Sequence, residues 1–195
     1  MVVAQKPKTR FSAAEYLALE EEAEYRSEYY QGEIFAMSGG SANHNRIAGN
    51  LFVALRSALR GKPCEAFIND MRLQVKRHHL YTYPDVMVVC GKIEFAQGRN
   101  DTVANPILIV EVLSPSTEAY DRGKKFVNYQ SIPELRDYVI VSHRERRIDH
   151  YRRAEGGEWI VATHTTLDSR IALTGLDGTL TLGDIYDGVD LAEGA

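Results

Sequence analysis

One strand-like segment constrains the fold of this chain more than any other. Residues 107–113 read ILIVEVL, so every position except Glu111 is apolar. A strand that is apolar on both faces is buried on both sides of its sheet, and other elements must cover both faces. The sequence therefore predicts a sheet with helices packed against it.

Helix and strand signals along the rest of the chain indicate an α/β fold with a mixed sheet. Ser12 and Ser41 are predicted to begin two helices, which end near residue 23 and before Gly61. A third helix is expected over residues 118–129, and Pro133 blocks its continuation. The remaining patterns predict a hairpin around Gln31-Gly32, strands over residues 64–75, 81–90, 106–114 and 136–142, and short strands after residue 143.

Length and composition indicate one globular domain covering residues 1–195. Its core is expected over about residues 41–142, with a β-rich extension over residues 143–195. Hydrophobic residues make up 44% and charged residues 26% of the chain, which excludes a disordered chain, a collagen-like fibre and a disulfide scaffold. The net charge of -4 also excludes a uniformly basic protein that coats nucleic acid.

The two cysteines and the lack of membrane signals indicate a cytoplasmic protein. Cys64 and Cys90 lie in or beside apolar runs, where buried free thiols are expected. No apolar stretch reaches the roughly 20 residues that span a bilayer. The first residues also lack the apolar segment of a secretory signal, so no membrane partner is expected.

Two acidic residues in the strand-like segments are the candidates for chemistry. An ionised Glu111 inside an apolar strand is costly unless it is paired or binds a cation. Asp85 follows Pro84 at the start of another apolar strand, so neighbouring strands can hold both carboxylates near one Mg²⁺, with the carbonyl of Val112 as a third ligand. A structural ion pair of Glu111 with a lysine or arginine, and a plain turn at Asp85, are the alternatives.

A basic cluster opens the third helix. Residues 121–125 read DRGKK, and four-residue spacing places Asp121, Lys125 and Tyr129 on one face, with Lys124 beside it. Because this helix follows the Glu111 strand and packs back on the sheet, a lysine can reach the carboxylates. A solvated helix face is the alternative for both lysines.

These motifs together resemble those of a known family. The segments PDVMVV, IVEVLSPST and AYDRGKKFVNY, with the upstream YYQGEIFAMSGGSANHNRIAGNL, resemble the PD-(D/E)XK nuclease superfamily and, more closely, the Uma-type putative restriction endonuclease family. The resemblance covers about residues 10–150. It implies a restriction-endonuclease-like αβββαβ core, Mg²⁺ or Mn²⁺ held by Asp85 and Glu111, and hydrolysis of nucleic-acid phosphodiester bonds, with DNA as the expected substrate.

The chain departs from the superfamily pattern at one position. The lysine that normally follows the second acid by two residues would stand at position 113, which is Leu113. The resemblance assigns its role to Lys125 on the following helix, with Lys124 as the second choice. The family's opening block adds Glu28, Glu33 and His44 as accessory residues, although hairpin surface charges and a structural histidine remain the alternatives.

Three functions remain open on this fold: a metal-dependent endonuclease, a catalytically inactive module that binds nucleic acid or protein, and a structural domain with an acidic ion-pair network. Cleavage of both strands of a duplex favours a homodimer, and the β-rich tail is a candidate interface. Two sets of basic residues could bind phosphates or lie on a solvated surface. They are Arg56, Arg60, Lys76 and Arg77, and Arg144, Arg146, Arg147, Arg152 and Arg153.

Overall fold

The computed structural model describes residues 10–37 and 39–191, with five α-helices and a 3₁₀ turn, Lys76–His78, in these ranges. The helix starts follow the predicted capping signals: Ser12 Oγ accepts the backbone N–H of Glu15, and Ser41 Oγ accepts that of His44. A π-helical turn, Asp121–Lys125, joins the third and fourth helices into one segment over residues 118–129. The helices are α1 (Ala13–Glu22), α2 (Ala42–Ala58), α3 (Glu118–Tyr120), α4 (Phe126–Tyr129) and α5 (Leu182–Ile185).

The described residues form thirteen strands in three sheets. In chain order the strands are β1 (Ser27–Tyr30), β2 (Glu33–Ala36), β3 (Cys64–Ile68), β4 (Arg72–Val75), β5 (Leu80–Thr82), β6 (Val86–Cys90), β7 (Thr102–Val103), β8 (Leu108–Val112), β9 (Asp137–Val141), β10 (Ile148–Arg153), β11 (Trp159–His164), β12 (Arg170–Leu173) and β13 (Gly178–Thr181).

The central sheet has six strands in the order β11-β10-β9-β8-β6-β3. All neighbouring pairs are antiparallel except β8 and β9, which are parallel because the helical segment 118–129 connects them. The path α2, β3, β6, β8, helical segment, β9 is the predicted αβββαβ order. The fold is therefore the mixed α/β arrangement that the sequence indicates.

Strand β8 is buried on both faces, as its sequence predicts. All five of its residues are buried. Val110 and Val112 pack in the core that contains Leu51 of α2, whereas Ile109 packs in a second core with Phe126 of α4. Glu111 points to the second core, because it lies on the same face as Ile109.

A five-stranded sheet, β2-β1-β5-β4-β7, carries the N-terminal hairpin. Two segments predicted as single strands divide between this sheet and the central one. Residues 64–75 break at Asn69, whose φ of +56° lies in the left-handed region, and residues 81–90 break at Pro84, which has no N–H to donate. The hairpin is thereby brought beside the central sheet.

The prediction of free, reduced thiols is wrong. Cys64 and Cys90 form a disulfide between β3 and β6. The antiparallel register of these strands places the two residues directly opposite each other. The physical reason for the difference is long-range pairing, since each cysteine lies in an apolar run that is equally compatible with a buried thiol.

The residues after 143 complete the central sheet and cover one side of it. Strands β10 and β11 extend that sheet beyond β9. The hairpin β12–β13 turns over residues 174–177, so of the predicted Asp177-Gly178 only Asp177, with a φ of +43°, lies in the turn, and Gly178 begins β13 opposite Leu173. Leu180 and Ile185 of this region pack in the core beneath α2.

None of the helices in the described residues is both long enough and apolar enough to cross a membrane.

Candidate active site

The first group of candidate residues lies at the start of α2. Ser41 caps the helix, so His44 lies in its first turn and faces the end of the central sheet. His44 Nε2 is 3.4 Å from Asp85 Oδ2. Burial alone would lower the pKa of His44, but hydrogen bonds to the Asp85 carboxylate and the Val112 carbonyl raise it above the ordinary value of 6.5. His44 therefore holds Asp85 and the end of β8 together.

Strand register brings Asp85 to Glu111. Val86 of β6 lies opposite Val110 of β8, and the next antiparallel position places Asp85 opposite Glu111. Asp85 Oδ2 also accepts the backbone N–H of Val112 at 2.7 Å. This bond fixes the Asp85 carboxylate at the carboxyl end of β8, between the faces covered by α2 and by the helical segment 118–129.

Glu111 is buried against that helical segment. Its Oε1 accepts a hydrogen bond from Tyr129 Oη at 2.8 Å and lies 3.0 Å from Lys125 Nζ. The residue is 4% exposed, so water screens this pair weakly. The four-residue spacing of Lys125 and Tyr129 brings both side chains to the same carboxylate.

Two further carboxylates surround Lys125. Its Nζ lies 3.0 Å from Glu28 Oε1 on β1 and 3.5 Å from Asp121 Oδ1 at the start of the π-helical turn. Glu28 is held in turn by the hydroxyl of Thr82 on β5. Asp121 Oδ1 is buried without a hydrogen-bond partner. One ammonium group therefore faces three carboxylates.

Burial and the surrounding charges together determine the protonation of the cluster. Burial raises the pKa of Glu111 well above its ordinary value of 4.5; Lys125 opposes the shift, and Asp121 adds to it. Burial alone would lower the pKa of Lys125, but Glu111 and Glu28 raise it well above 10.5. Lys125 is therefore an ammonium group at neutral pH, and the buried Glu111 carboxyl favours a bound proton or cation over an uncompensated negative charge.

Three other predicted residues lie at the margin of this cluster. Lys124 is exposed and extends over the ring of Tyr30, with its Nζ 4.2 Å from the ring centroid. Glu33 lies on β2 opposite Tyr30. The Val112 carbonyl, predicted as a third ligand, lies close enough to the His44 ring to raise the pKa of that imidazole. Of the two helix lysines, it is Lys125 that reaches Glu111.

Two pairs of the predicted basic residues lie at opposite ends of α2 and the central sheet, and two others are held by hydrogen bonds. Arg144 and Arg146 are exposed in the loop after β9, at the end of the sheet where β8 also ends. Arg147 donates to Asp149, and Arg153 donates to backbone carbonyls of Gln130 and Ile132. Arg56 and Arg60 lie at the opposite end of α2 from His44.

In residues 10–37 and 39–191, no three histidine, cysteine, aspartate or glutamate side chains are already arranged around a common metal position. The donors nonetheless suit a hard divalent cation, because the carboxylates of Asp85 and Glu111 supply oxygen and Lys125 alone does not balance the charge.

Comparison with known proteins assigns the chain to a family. Residues 13–182 match the model of Uma2, described as "Putative restriction endonuclease". The chain belongs to the Uma2 family. Uma2 membership supports nuclease function at the level of the family.

Two relatives come from Synechocystis sp. Uncharacterized protein sll1609 is 40% identical over 150 residues, which cover 77% of this Uma2 chain and 85% of the relative. Uncharacterized protein slr1290 is 38% identical over 185 residues, covering 94% and 95%. The chain therefore spans nearly the whole length of slr1290.

A solved structure shares the Uma2 chain's fold. It is described as a putative nuclease belonging to DUF820 from Anabaena variabilis ATCC 29413. The two match with a TM-score of 0.72 and 18% identity, over 89% of this chain and 96% of that one. At this identity the likeness shows the fold alone.

Two contacts of the site residues in this Uma2 chain are not among the predictions from sequence. Tyr129 was expected on the face of Lys125, but its hydrogen bond to Glu111 was not foreseen. Thr82, which holds Glu28, carries no local signal because the two residues are 54 positions apart. Helical spacing could have indicated the first contact, whereas the second depends on strand pairing between β1 and β5.

Proposed function

We propose that this protein is a metal-dependent endonuclease that hydrolyses phosphodiester bonds in nucleic acid, with DNA as the expected substrate. One observation carries the proposal. Asp85 Oδ2 accepts the backbone N–H of Val112, the residue after Glu111, at 2.7 Å, and Lys125 Nζ lies 3.0 Å from Glu111 Oε1. Two carboxylates and an ammonium at one sheet end are the groups that divalent-cation phosphodiester chemistry uses.

Asp85 and Glu111 would hold Mg²⁺ or Mn²⁺, with the carbonyl of Val112 as a further oxygen donor. When bound, such an ion would polarise the scissile phosphate and lower the pKa of a bound water. The chemical fit rests on the oxygen donors and on the unbalanced negative charge around Lys125.

Lys125 would orient the attacking water and offset the negative charge that develops on the phosphate. Its pKa, raised by Glu111 and Glu28, keeps it charged at neutral pH. Glu28 and Tyr129 would position this pair, since Glu28 contacts Lys125 and Tyr129 donates to Glu111. These contacts hold the Lys125 ammonium in one position relative to Glu111.

His44 would position Asp85, because its Nε2 lies 3.4 Å from Asp85 Oδ2. Lys124 and Glu33 receive no part in the proposed reaction. The ammonium of Lys124 lies over Tyr30, and Glu33 lies at the far end of the hairpin from Ser27.

The test is nicking of supercoiled plasmid with Mg²⁺ or Mn²⁺ by the wild type and by Glu111→Gln. We expect the variant to lose at least about 100-fold in rate, because one of the two carboxylates that would hold the divalent cation is removed. Glu65→Gln, an exposed acid on β3, is the matched control and should nick at the wild-type rate. Equal nicking by wild type and Glu111→Gln would make the proposal wrong.

Binding without hydrolysis is the second candidate function, and two observations favour it. Leu113 stands where the superfamily has its lysine, and no three-ligand metal group is preformed in the part of the chain that the structure describes. This alternative predicts salt-sensitive binding of nucleic acid by wild type and Glu111→Gln alike, with no product at any Mg²⁺ or Mn²⁺ concentration.

A further inference from the structure

Strand β11 forms an unprotected edge of the central sheet. It pairs with β10 over all six of its residues, and no strand among the residues that the structure describes lies on its other side. Its sequence, WIVATH, contains no lysine, proline or glycine, the residues by which edge strands commonly avoid pairing with other chains. The opposite edge, β3, differs because it carries Glu65 and is tied to β6 by the disulfide.

The exposed side chains of β11 are apolar at its centre. Ile160 is 41% exposed and Val161 is 55% exposed, and they point to opposite faces of the sheet. Ala162 and Thr163 are exposed beside them. The apolar surface therefore follows the strand itself and is not confined to one face.

The hydrogen-bond pattern determines which backbone groups of β11 point outward. Ala154 N–H donates to Glu158 O, so these two residues form a hydrogen-bonded pair of the antiparallel ladder. Hydrogen-bonded pairs alternate with non-bonded pairs along such a ladder, and the backbone groups of Ile160 and Ala162 therefore bond to β10. The N–H and C=O groups of Trp159, Val161 and Thr163 then point away from the sheet. Val161 is the middle member of this outward set.

We propose that two copies of this chain pair through β11, antiparallel, with the two-fold axis at Val161. In this register Val161 lies opposite its own copy, Ile160 opposite Ala162, and Trp159 opposite Thr163. All outward backbone groups find partners, and the apolar side chains cover one another. The two central sheets join into one continuous sheet.

The strand ends favour a second copy over an unrelated peptide. The same register places Glu158 of one copy opposite His164 of the other. The His164 side chain is half-buried at this strand end, and Glu158 is exposed. An acid opposite an imidazole at both ends makes the strand complementary to itself. This proposal does not depend on nuclease activity.

Sedimentation and crosslinking test the proposal on the full chain. We expect a dimer by analytical ultracentrifugation, and Val161→Lys should raise its dissociation constant on the order of 100-fold, because two ammonium groups would face each other at the axis. Val53→Lys, on an exposed valine of α2, is the matched control and should dimerise normally. A monomeric wild type, or an unchanged dimer in Val161→Lys, overturns the proposal.

A crosslinking arm keeps the test valid if Val161→Lys fails to fold. Both native cysteines are already paired. Val161→Cys should form an interchain disulfide under mild oxidation, since opposite Cα atoms in such a pair are about 5.5 Å apart. Thr163→Cys should not, because its two copies would be about 13 Å apart along the strand. Equal crosslinking of the two variants, or capture of an extended peptide by a monomeric protein, overturns the proposal.

Discussion

Lys125 is a buried ammonium whose removal should be costly. It is 5% exposed and faces Glu28, Glu111 and Asp121. We predict that Lys125→Met lowers the free energy of unfolding by about 3 kcal/mol at pH 7, because buried carboxylates lose their counter-charge. Urea denaturation followed by circular dichroism measures the loss. Lys124→Met, on the exposed neighbour, should change stability by less than about 0.5 kcal/mol.

Adding Glu111→Gln to Lys125→Met distinguishes lost charge pairing from lost packing. The double variant should recover more than about 1 kcal/mol relative to the sum of the single changes, because one of the unpaired carboxylates is then neutral. Strict additivity would contradict an ionic interaction between these two residues.

Asp149 gives the stability of the chain a dependence on acid pH. Its carboxylate accepts bonds from Arg122 at 2.6 Å, Arg147 at 3.1 Å and Thr163 at 2.7 Å. Burial alone would raise the pKa of Asp149, but these bonds lower it below 3.8. A carboxyl with a lowered folded-state pKa stabilises the fold above its unfolded pKa, and this contribution is lost as pH falls through the folded value.

We therefore predict that Asp149→Asn loses about 2 kcal/mol of stability at pH 7, and that the difference from wild type narrows below about pH 4. Denaturant unfolding at pH 7 and below about pH 4 measures the difference in free energy of unfolding between the variant and the wild type. Asp168→Asn, at an exposed acid outside this network, should be close to wild type at pH 7. If the stability difference between Asp149→Asn and the wild type did not change with pH, the hydrogen bonds to an ionised Asp149 would be contradicted.

At the scale of elements, the disulfide ties the edge strand β3 to β6. It links residues 26 positions apart, and closing a loop of that length should stabilise the fold by about 3.5 kcal/mol. The variant Cys64→Ser with Cys90→Ser should lose that amount in urea unfolding. Reductant should destabilise the wild type and leave the double variant unchanged; a wild type that is insensitive to reductant would contradict the pairing.

The helical segment 118–129 shows what local sequence can and cannot predict. Its extent, and the shared face of Lys125 and Tyr129, follow from spacing and from Pro133. The π-helical turn at Asp121–Lys125 has no such signal. Its geometry depends on packing against β8 and the hairpin, because the buried Lys125 must contact both Glu111 and Glu28.

For the whole molecule, the two-sided burial of β8 and the αβββαβ order could be predicted, because each follows from a local apolar pattern. The division of the strands between two separate sheets could not be predicted from the sequence. Residues 64–75 read as one continuous strand, yet Asn69 sends the chain from the central sheet to the five-stranded one. Long-range register likewise decides the Cys64–Cys90 disulfide and the approach of Glu28 to Lys125.

The arrangement of charge over the whole molecule gives the last prediction. Arg144 and Arg146 are exposed at the end of the sheet that carries Asp85 and Glu111. Arg56 and Arg60 are equally exposed but lie at the far end of α2, which is about 25 Å long. If nucleic acid binds at the proposed site, only the first pair can contact its phosphates.

We predict that Arg144→Ala with Arg146→Ala weakens binding of a labelled DNA duplex about 10-fold and lowers the slope of log affinity against log salt by roughly 2. Arg56→Ala with Arg60→Ala removes the same charge and should leave both quantities unchanged. Fluorescence anisotropy over a KCl series, in the Glu111→Gln background to prevent cleavage, measures affinity and slope together. If the two double variants lost the same affinity for DNA, binding would depend on net charge alone. If Arg56→Ala with Arg60→Ala lost more affinity, the nucleic-acid surface would lie at the opposite end of the molecule.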